Sequence, residues 1–241
     1  MLQPCRNWAL FLDLDGTLID IAPCPDKVVV PDDLVPALYK VSHPLGGALA
    51  IVSGRPLHEV DSLLTPLKLP IGAEHGAVVR FPGGRLDTLN TQLPAKWLET
   101  LGWKTGSMPG VLLEVKHHSV VAHYRQAPER EADLFKLANE LVATAPDQFE
   151  VLPCRMAVEI RARAATKARA VALLMKEPPF AGRIPVYIGD DVTDEDGFKA
   201  ARERGGLGIH VGARFDGQPS EVREWLARFD TLKTAGAHAD A

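Results

Sequence analysis

No apolar run in this 241-residue chain approaches the roughly 20 residues that a membrane-spanning helix needs, which excludes a helical span. Residues 1–7 also lack the apolar centre of a secretion signal. Cysteine is scarce. Cys5, Cys24 and Cys154 lie far apart, in neither a metal-ligand spacing nor an even-numbered disulfide framework. A reducing compartment is the simpler setting, so a soluble cytoplasmic protein is expected. A strong charge of one sign is missing too. The 27 Lys+Arg against 31 Asp+Glu leave a net charge of −4, which removes the electrostatic footprint of a nucleic-acid partner or an anionic membrane surface. There is no internal repeat.

What is present is ample apolar content. At 46% hydrophobic residues, the chain is sufficient for one large domain, or for a core with a smaller domain inserted in it. The organising stretch is residues 9–19, ALFLDLDGTLI. Its apolar opening fits a buried parallel strand. Alternate strand residues share a face, so Asp13 and Asp15 can point the same way at the strand's end, where Gly16 allows a sharp turn. Two adjacent carboxylates repel unless a cation or hydrogen bonds intervene, and a hard divalent cation suits such oxygen ligands.

The periodicity then alternates. Leu34, Leu38 and Val41 recur at helical spacing after Pro31-Asp32-Asp33, and residues 48–52 form a second apolar strand that runs into Ser53-Gly54-Arg55-Pro56. Pro56 opens a helix with Leu57, Val60, Leu63, Leu64 and Leu67 on its core face. Strand–helix repetition of this kind predicts a doubly wound, Rossmann-like α/β parallel sheet, with ligands beyond the carboxyl ends of the strands. Ser53 stands at such an end. It can donate to a phosphate oxygen or cap the helix that Pro56 begins. His75, in the turn Glu74-His75-Gly76, is either a phosphate or hydroxyl contact or a structural histidine. Residues 77–86 read as a hairpin turning at Pro82-Gly83-Gly84.

A region of different character follows. A helix is expected over residues 93–101, with Trp97 and Leu101 inward, and a glycine-rich loop over 102–110. Residues 111–116 and 119–125 alternate as a hairpin, and a helix carries Leu134, Phe135, Leu137, Ala138, Leu141 and Val142. Two more strands cover 149–152 and 157–161. This is a small α+β unit with an antiparallel sheet. Glu114 and Lys116 share one face there, either as a weak exposed ion pair or as a binding pair. The α/β pattern then resumes with a helix from Thr166-Lys167, a strand over 184–188, a strand over 207–211 and a helix from Pro219 carrying Val222, Trp225, Leu226 and Phe229. Residues 20–27 form a loop, and residues 234–241 are expected to fray. After the strand at 184–188 comes GDDVTDEDGF. A capping box from Thr193 to Asp196 accounts for its later acids. It leaves Asp190-Asp191 unexplained directly after an apolar strand, where a cation is the natural partner.

DLDGT resembles the first motif of the haloacid dehalogenase-like phosphohydrolases. IVSGRP, GAEHG, Glu114-x-Lys116-x-His118, His123-Tyr124-Arg125, Glu159-Ile160-Arg161, Lys167 and GDDVTDEDGF occur in the same order as in the trehalose-6-phosphate phosphatase family within that superfamily. Two positions depart from the family pattern: Ala168 stands where glycine is frequent, and Ala162 where proline is. The resemblance implies a core of residues 1–88 and 164–241 and an α+β cap of residues 89–163. It implies Asp13 as nucleophile, Asp15 as general acid and base, and Ser53 and Lys167 as holders of the phosphoryl oxygens. Mg²⁺ would be held by Asp13, the Asp15 carbonyl and Asp190, with Asp191 and Asp194 orienting its waters. Arg55, His75, Glu114, Lys116, His118 and Glu159 would bind the sugar phosphate. The expected protein is a Mg²⁺-dependent, monomeric phosphatase acting on trehalose 6-phosphate. The alternatives are another capped sugar phosphatase, for example for sucrose phosphate, or a non-catalytic sugar-phosphate-binding regulator.

Overall fold

The computed structural model describes residues 3–22, 27–229 and 232. The expected frayed end at 234–241 lies outside these residues, as does the middle of the loop expected at 20–27. The described chain forms two compact units, Met1–Asp87 with Thr166–Ala241 and Thr88–Ala165.

In the larger unit, β1 (Trp8–Leu12) is followed by α1 (Leu34–Ser42), β2 (Leu49–Val52), α2 (Leu57–Leu63), β3 (Ile71–Ala73), β4 (Val78–Arg80) and β5 (Leu86–Thr88). The smaller unit contributes α3 (Ala95–Gly106), β6 (Leu112–Val115), β7 (Ser119–His123), α4 (Glu131–Val142), β8 (Phe149–Cys154) and β9 (Ala157–Ala162). The chain returns with α5 (Lys167–Leu174), β10 (Ile184–Gly189), α6 (Glu195–Arg202), β11 (Leu207–His210), α7 (Val211–Arg214) and α8 (Pro219–Leu226).

The large sheet has the order β11-β10-β1-β2-β3-β4-β5. Its first five strands are parallel, and β4 turns antiparallel against β3. β1 is central and wholly buried, as the apolar run that precedes Asp13 requires. Leu34, Leu38 and Val41 of α1, Val171 and Leu174 of α5, and Val222, Trp225 and Leu226 of α8 close the core over the sheet. Strand, helix and parallel strand repeat as the periodicity predicts, and the open ends of β1, β2 and β10 converge on one edge.

The small sheet is antiparallel, in the order β6-β7-β9-β8. Leu113, Val120, Ala122, Val158 and Ile160 meet Leu101 of α3 and Leu134 and Ala138 of α4 in one apolar layer. Trp97 packs edge-on against Phe149 in the same layer, with ring centroids 5.0 Å apart.

Three expectations change. Residues expected to form a loop from 102 continue α3 as far as Gly106. Each helical glycine costs only about 1 kcal/mol, and Trp97, Leu101 and Thr105 form a buried stripe at i, i+4 and i+8 that outweighs it. Thr105 also donates its hydroxyl to the Leu101 carbonyl at 2.8 Å. Val211 opens α7 and does not end β11, because the His210 side chain accepts from Gly212 N and turns the chain. The capping box lies between Asp191 and Asp194, two residues before the pair that spacing selects.

Candidate active site

The turn after β1 brings Asp13 to the strand end, 4% exposed. Gly16 follows with φ +77°, and a Cβ there would lie 2.1 Å from Asp190 Oδ2, so only glycine lets the two acidic loops approach. Thr17 donates to Asp190 Oδ1 at 3.2 Å and lies 3.5 Å from Asp13 Oδ2, bridging the first loop to the last.

Lys167 begins α5 behind an N-cap in which Thr166 accepts from Arg169 N. Its ammonium is buried and touches two carboxylates, Asp13 Oδ1 at 2.8 Å and Asp194 Oδ1 at 2.6 Å. Asp194 is wholly buried. Its other contacts are Tyr187 OH at 2.8 Å and the backbone N–H groups of Asp190 and Asp191 at 3.1 and 3.0 Å. Gly189 makes this possible, since a Cβ there would lie 2.2 Å from Asp194 Cγ. Asp194 therefore acts as a strut: it orients Lys167 and fixes the backbone that carries Asp190. Asp191 is exposed and caps the helical turn.

Ligand oxygens of Asp13, Asp190 and Asp194 all lie within 4.8 Å of one another. Three carboxylates thus face one ammonium. Burial, and then the charges of Asp194 and Asp190, hold the Asp13 carboxyl well above its ordinary range in spite of Lys167. Burial and Asp194 push Asp190 up to about 6. Burial alone would lower Lys167, but Asp13 and Asp194 outweigh it and keep the ammonium charged. The surplus negative charge of these clustered oxygens fits a hard divalent cation. Asp13 and Asp190 have the capacity to ligate it. Asp194, committed on both oxygens, serves better as the support behind them.

Asp15 points to a different partner. Arg55 grips its carboxylate through Nε and Nη2 at 2.6 and 2.7 Å, and Arg55 Nη1 reaches Glu59 at 3.1 Å. Ser53 is 1% exposed at the end of β2. Its Oγ accepts from Arg55 N at 3.1 Å, while α2 begins later, at Leu57, with Pro56 as its N-cap. The serine is therefore held in the turn itself and not used as the helix cap. His75 is 8% exposed and donates its backbone N–H to Ser53 O at 3.0 Å. Glu74 and His75 both have left-handed backbone, φ +46° and +57°, which is strained for side chains of their size. The larger unit thus gathers Asp13, Asp15, Ser53, Arg55, His75, Lys167, Asp190, Asp191 and Asp194 on neighbouring loops.

The remaining candidates lie in the smaller unit. Glu114 sits 2.8 Å from His123 Nε2 and 3.6 Å from Lys116 Nζ. The His123 hydrogen bond, ahead of the Lys116 charge, keeps the Glu114 carboxyl below its ordinary range although burial opposes it. Glu159 is 2% exposed and stands two strands from Glu114 on the same face, because both are in register with Val121. His118 sits in the β6–β7 turn, 1% exposed, with Nδ1 3.0 Å from Thr91 O. His123 and Arg55's partner Glu59 are contacts that single-residue spacing did not single out. The register of the antiparallel hairpin carries the first, and helical i, i+4 spacing carries the second.

The parallel sheet with a separate antiparallel α+β unit is the fold of solved haloacid dehalogenase-like hydrolases from Bacteroides thetaiotaomicron and B. subtilis, with TM-scores of 0.60 and 0.63. The C-terminal domain of C. albicans trehalose-6-phosphate phosphatase has this fold with a TM-score of 0.73, covering 92% of each chain at 22% identity. The trehalose-phosphatase family model matches residues 11–226, and the chain belongs to that family. A probable trehalose-phosphate phosphatase of Sinorhizobium fredii is 45% identical over 207 residues, 86% of this chain and 78% of the relative. Trehalose-6-phosphate phosphatase of Escherichia coli is 37% identical over 236 residues, 93% of this chain and 87% of the relative.

Proposed function

We propose that the protein hydrolyses trehalose 6-phosphate to trehalose and phosphate, with Mg²⁺ and through an aspartyl phosphate. The observation that carries this is the Asp13–Lys167–Asp194 cluster with Asp190 beside it: a buried carboxylate oriented by an ammonium, and a local surplus of negative charge. The names of the two relatives above supply the sugar.

Asp13, the Asp15 carbonyl and Asp190 would hold the cation, with Asp191 and Asp194 as its supports. When bound, the ion neutralises phosphate charge and aligns the phosphoryl group. An Asp13 oxygen attacks phosphorus, and the bond to the sugar oxygen breaks. Asp15 gives a proton to that departing oxygen, which requires Arg55 to release one carboxylate oxygen and Asp15 to carry the proton. Asp15 then takes a proton from the water that opens the aspartyl phosphate, returning Asp13 as carboxylate. Ser53 and Lys167 hold the phosphoryl oxygens, and Arg55 and His75 bind at the phosphate end. We assign residues 1–88 and 164–241 to this chemistry and residues 89–163, the cap, to sugar recognition through Glu114, Lys116, His118 and Glu159. The cysteines described, Cys5 and Cys154, are free, which supports a cytoplasmic setting, and a monomer holds every residue the reaction needs.

The test is phosphate release from trehalose 6-phosphate beside glucose 6-phosphate and sucrose 6-phosphate, with Mg²⁺ and with EDTA. Mg²⁺-dependent release from trehalose 6-phosphate alone is expected. Release from a different sugar phosphate would replace the substrate and keep the chemistry. No release from any, by folded protein, would favour a sugar-phosphate-binding regulator.

A further inference from the structure

On the side of the small sheet away from α3 and α4, strand register sets the side chains in rows. Lys116 N bonds to Ser119 O, Ser119 pairs with Arg161, and Arg161 pairs with Glu150, so Lys116, Ser119, Arg161 and Glu150 form one row across all four strands. The next row along is Glu114, Val121, Glu159 and Leu152. Directly opposed residues of antiparallel strands share a face. The first row presents Lys116, Ser119 and Arg161 as donors, with Glu150 bound to Arg161, and the second presents the Glu114 and Glu159 carboxylates, about 6.8 Å further along the strands.

Two members of the donor row have unused capacity. Ser119 is 2% exposed, and its Oγ has no hydrogen-bond partner among the described residues. Arg161 is 4% exposed. Its Nε and Nη2 both bind Glu150 Oε1, at 3.0 and 2.9 Å, yet its Nη1 has no partner among the described residues. Glu150 is in turn held by Arg163 at 3.2 Å through its other oxygen, so the Arg161 plane is fixed from behind. Leaving two neighbouring polar groups buried and unpaired is unfavourable unless a ligand satisfies them. The pair joins a hydroxyl to the Nη1 of a guanidinium whose other two nitrogens are held by Glu150, beside the Glu114 and Glu159 acceptors. That combination matches a polyol, whose hydroxyls accept and donate at once, better than an anion, which the second row's carboxylates would repel.

We infer that Ser119 and Arg161 form a further sugar-binding subsite, donating to hydroxyl oxygens of the disaccharide while Glu114 and Glu159 accept from others. This rests on the sugar-phosphatase reading and adds two specificity residues to it.

The test measures kcat and KM for trehalose 6-phosphate and for p-nitrophenyl phosphate, which has no sugar, in wild type, Ser119→Ala and Arg161→Lys. Titration of unphosphorylated trehalose by calorimetry runs alongside. Ser119→Ala should raise KM for the sugar phosphate about 3- to 10-fold with kcat within about twofold. Its preference for sugar over aryl phosphate should fall by the same factor. Arg161→Lys keeps a charge for Glu150 but loses the Nη1 donor, and should lower that preference about 10- to 100-fold. Trehalose affinity should fall in parallel. Removing an unpaired buried hydroxyl should leave Tm unchanged or slightly raised. A preference ratio and trehalose affinity unaltered in both variants, or a Tm loss without a change in ratio, would overturn the inference. Wild type inactive on trehalose 6-phosphate but active on another sugar phosphate would instead strike the substrate reading, and the same ratios would then be taken with that substrate.

Discussion

In the larger unit, charge is buried and unbalanced: Asp13, Asp190 and Asp194 share one Lys167. In the smaller unit, charge is spread and paired. Glu114 has Lys116 and His123, and Glu150 has Arg161 and Arg163. The first arrangement stores an unmet demand for positive charge at one point, which suits a reaction at phosphorus. The second presents alternating donors and acceptors over several strands, which suits hydroxyls. On the proposed reading, one chain separates chemistry from selection by separating excess charge from balanced polarity.

The largest expected effect breaks the first side of that contrast. Asp13→Asn should lower turnover about 10⁴-fold or more on sugar and aryl phosphates alike, because both pass through the same attack. Its Tm should change little, and the measurement is steady-state phosphate release with a melting curve. Near-normal activity would remove Asp13 as nucleophile.

Lys167→Met comes next and separates charge from chemistry. It strands two buried carboxylates, so urea unfolding should show a loss of about 3–5 kcal/mol, with turnover reduced on both substrates. A stability close to wild type would mean that the cluster's charge is already neutralised without the ammonium.

The smallest effect lies away from both sites. The Arg80 hydrogen bond, assisted by Lys68, holds the Asp61 carboxyl below its ordinary range against modest burial. A depressed carboxyl stabilises the fold above its unfolded pKa, and this is lost as pH falls through the folded value. Asp61→Asn should therefore cost up to about 1 kcal/mol at pH 7. The gap to wild type should narrow below about pH 4 in thermal melts. A gap that widened in acid would reverse the assignment.

Much of the larger unit was legible in sequence because its chemistry follows strands directly. An apolar run ending in DLDGT, another ending at Ser53 and a third ending at Asp190 place side chains at carboxyl ends by strand logic alone. Spacing did not reveal that Asp15 turns to Arg55, or that Asp194 braces Lys167, since these depend on which loop folds under which. In the smaller unit, alternation put Glu114 and Lys116 on one face, but the lateral rows needed the register between strands. Alternation along single strands does not place His123, Ser119 and Arg161 beside the candidates; the register between strands does. Local glycine preference ends the helix at residue 101, but it yields to the Trp97–Leu101–Thr105 stripe, which carries the helix on to Gly106.

The most direct test of the division of labour is the kcat/KM of Glu114→Ala on trehalose 6-phosphate against p-nitrophenyl phosphate. The account predicts a loss of about 10- to 100-fold on the sugar phosphate and a much smaller one on the aryl phosphate. Equal losses on both would show that Glu114 serves the reaction or the fold and not the sugar, and would contradict the separation of chemistry from selection.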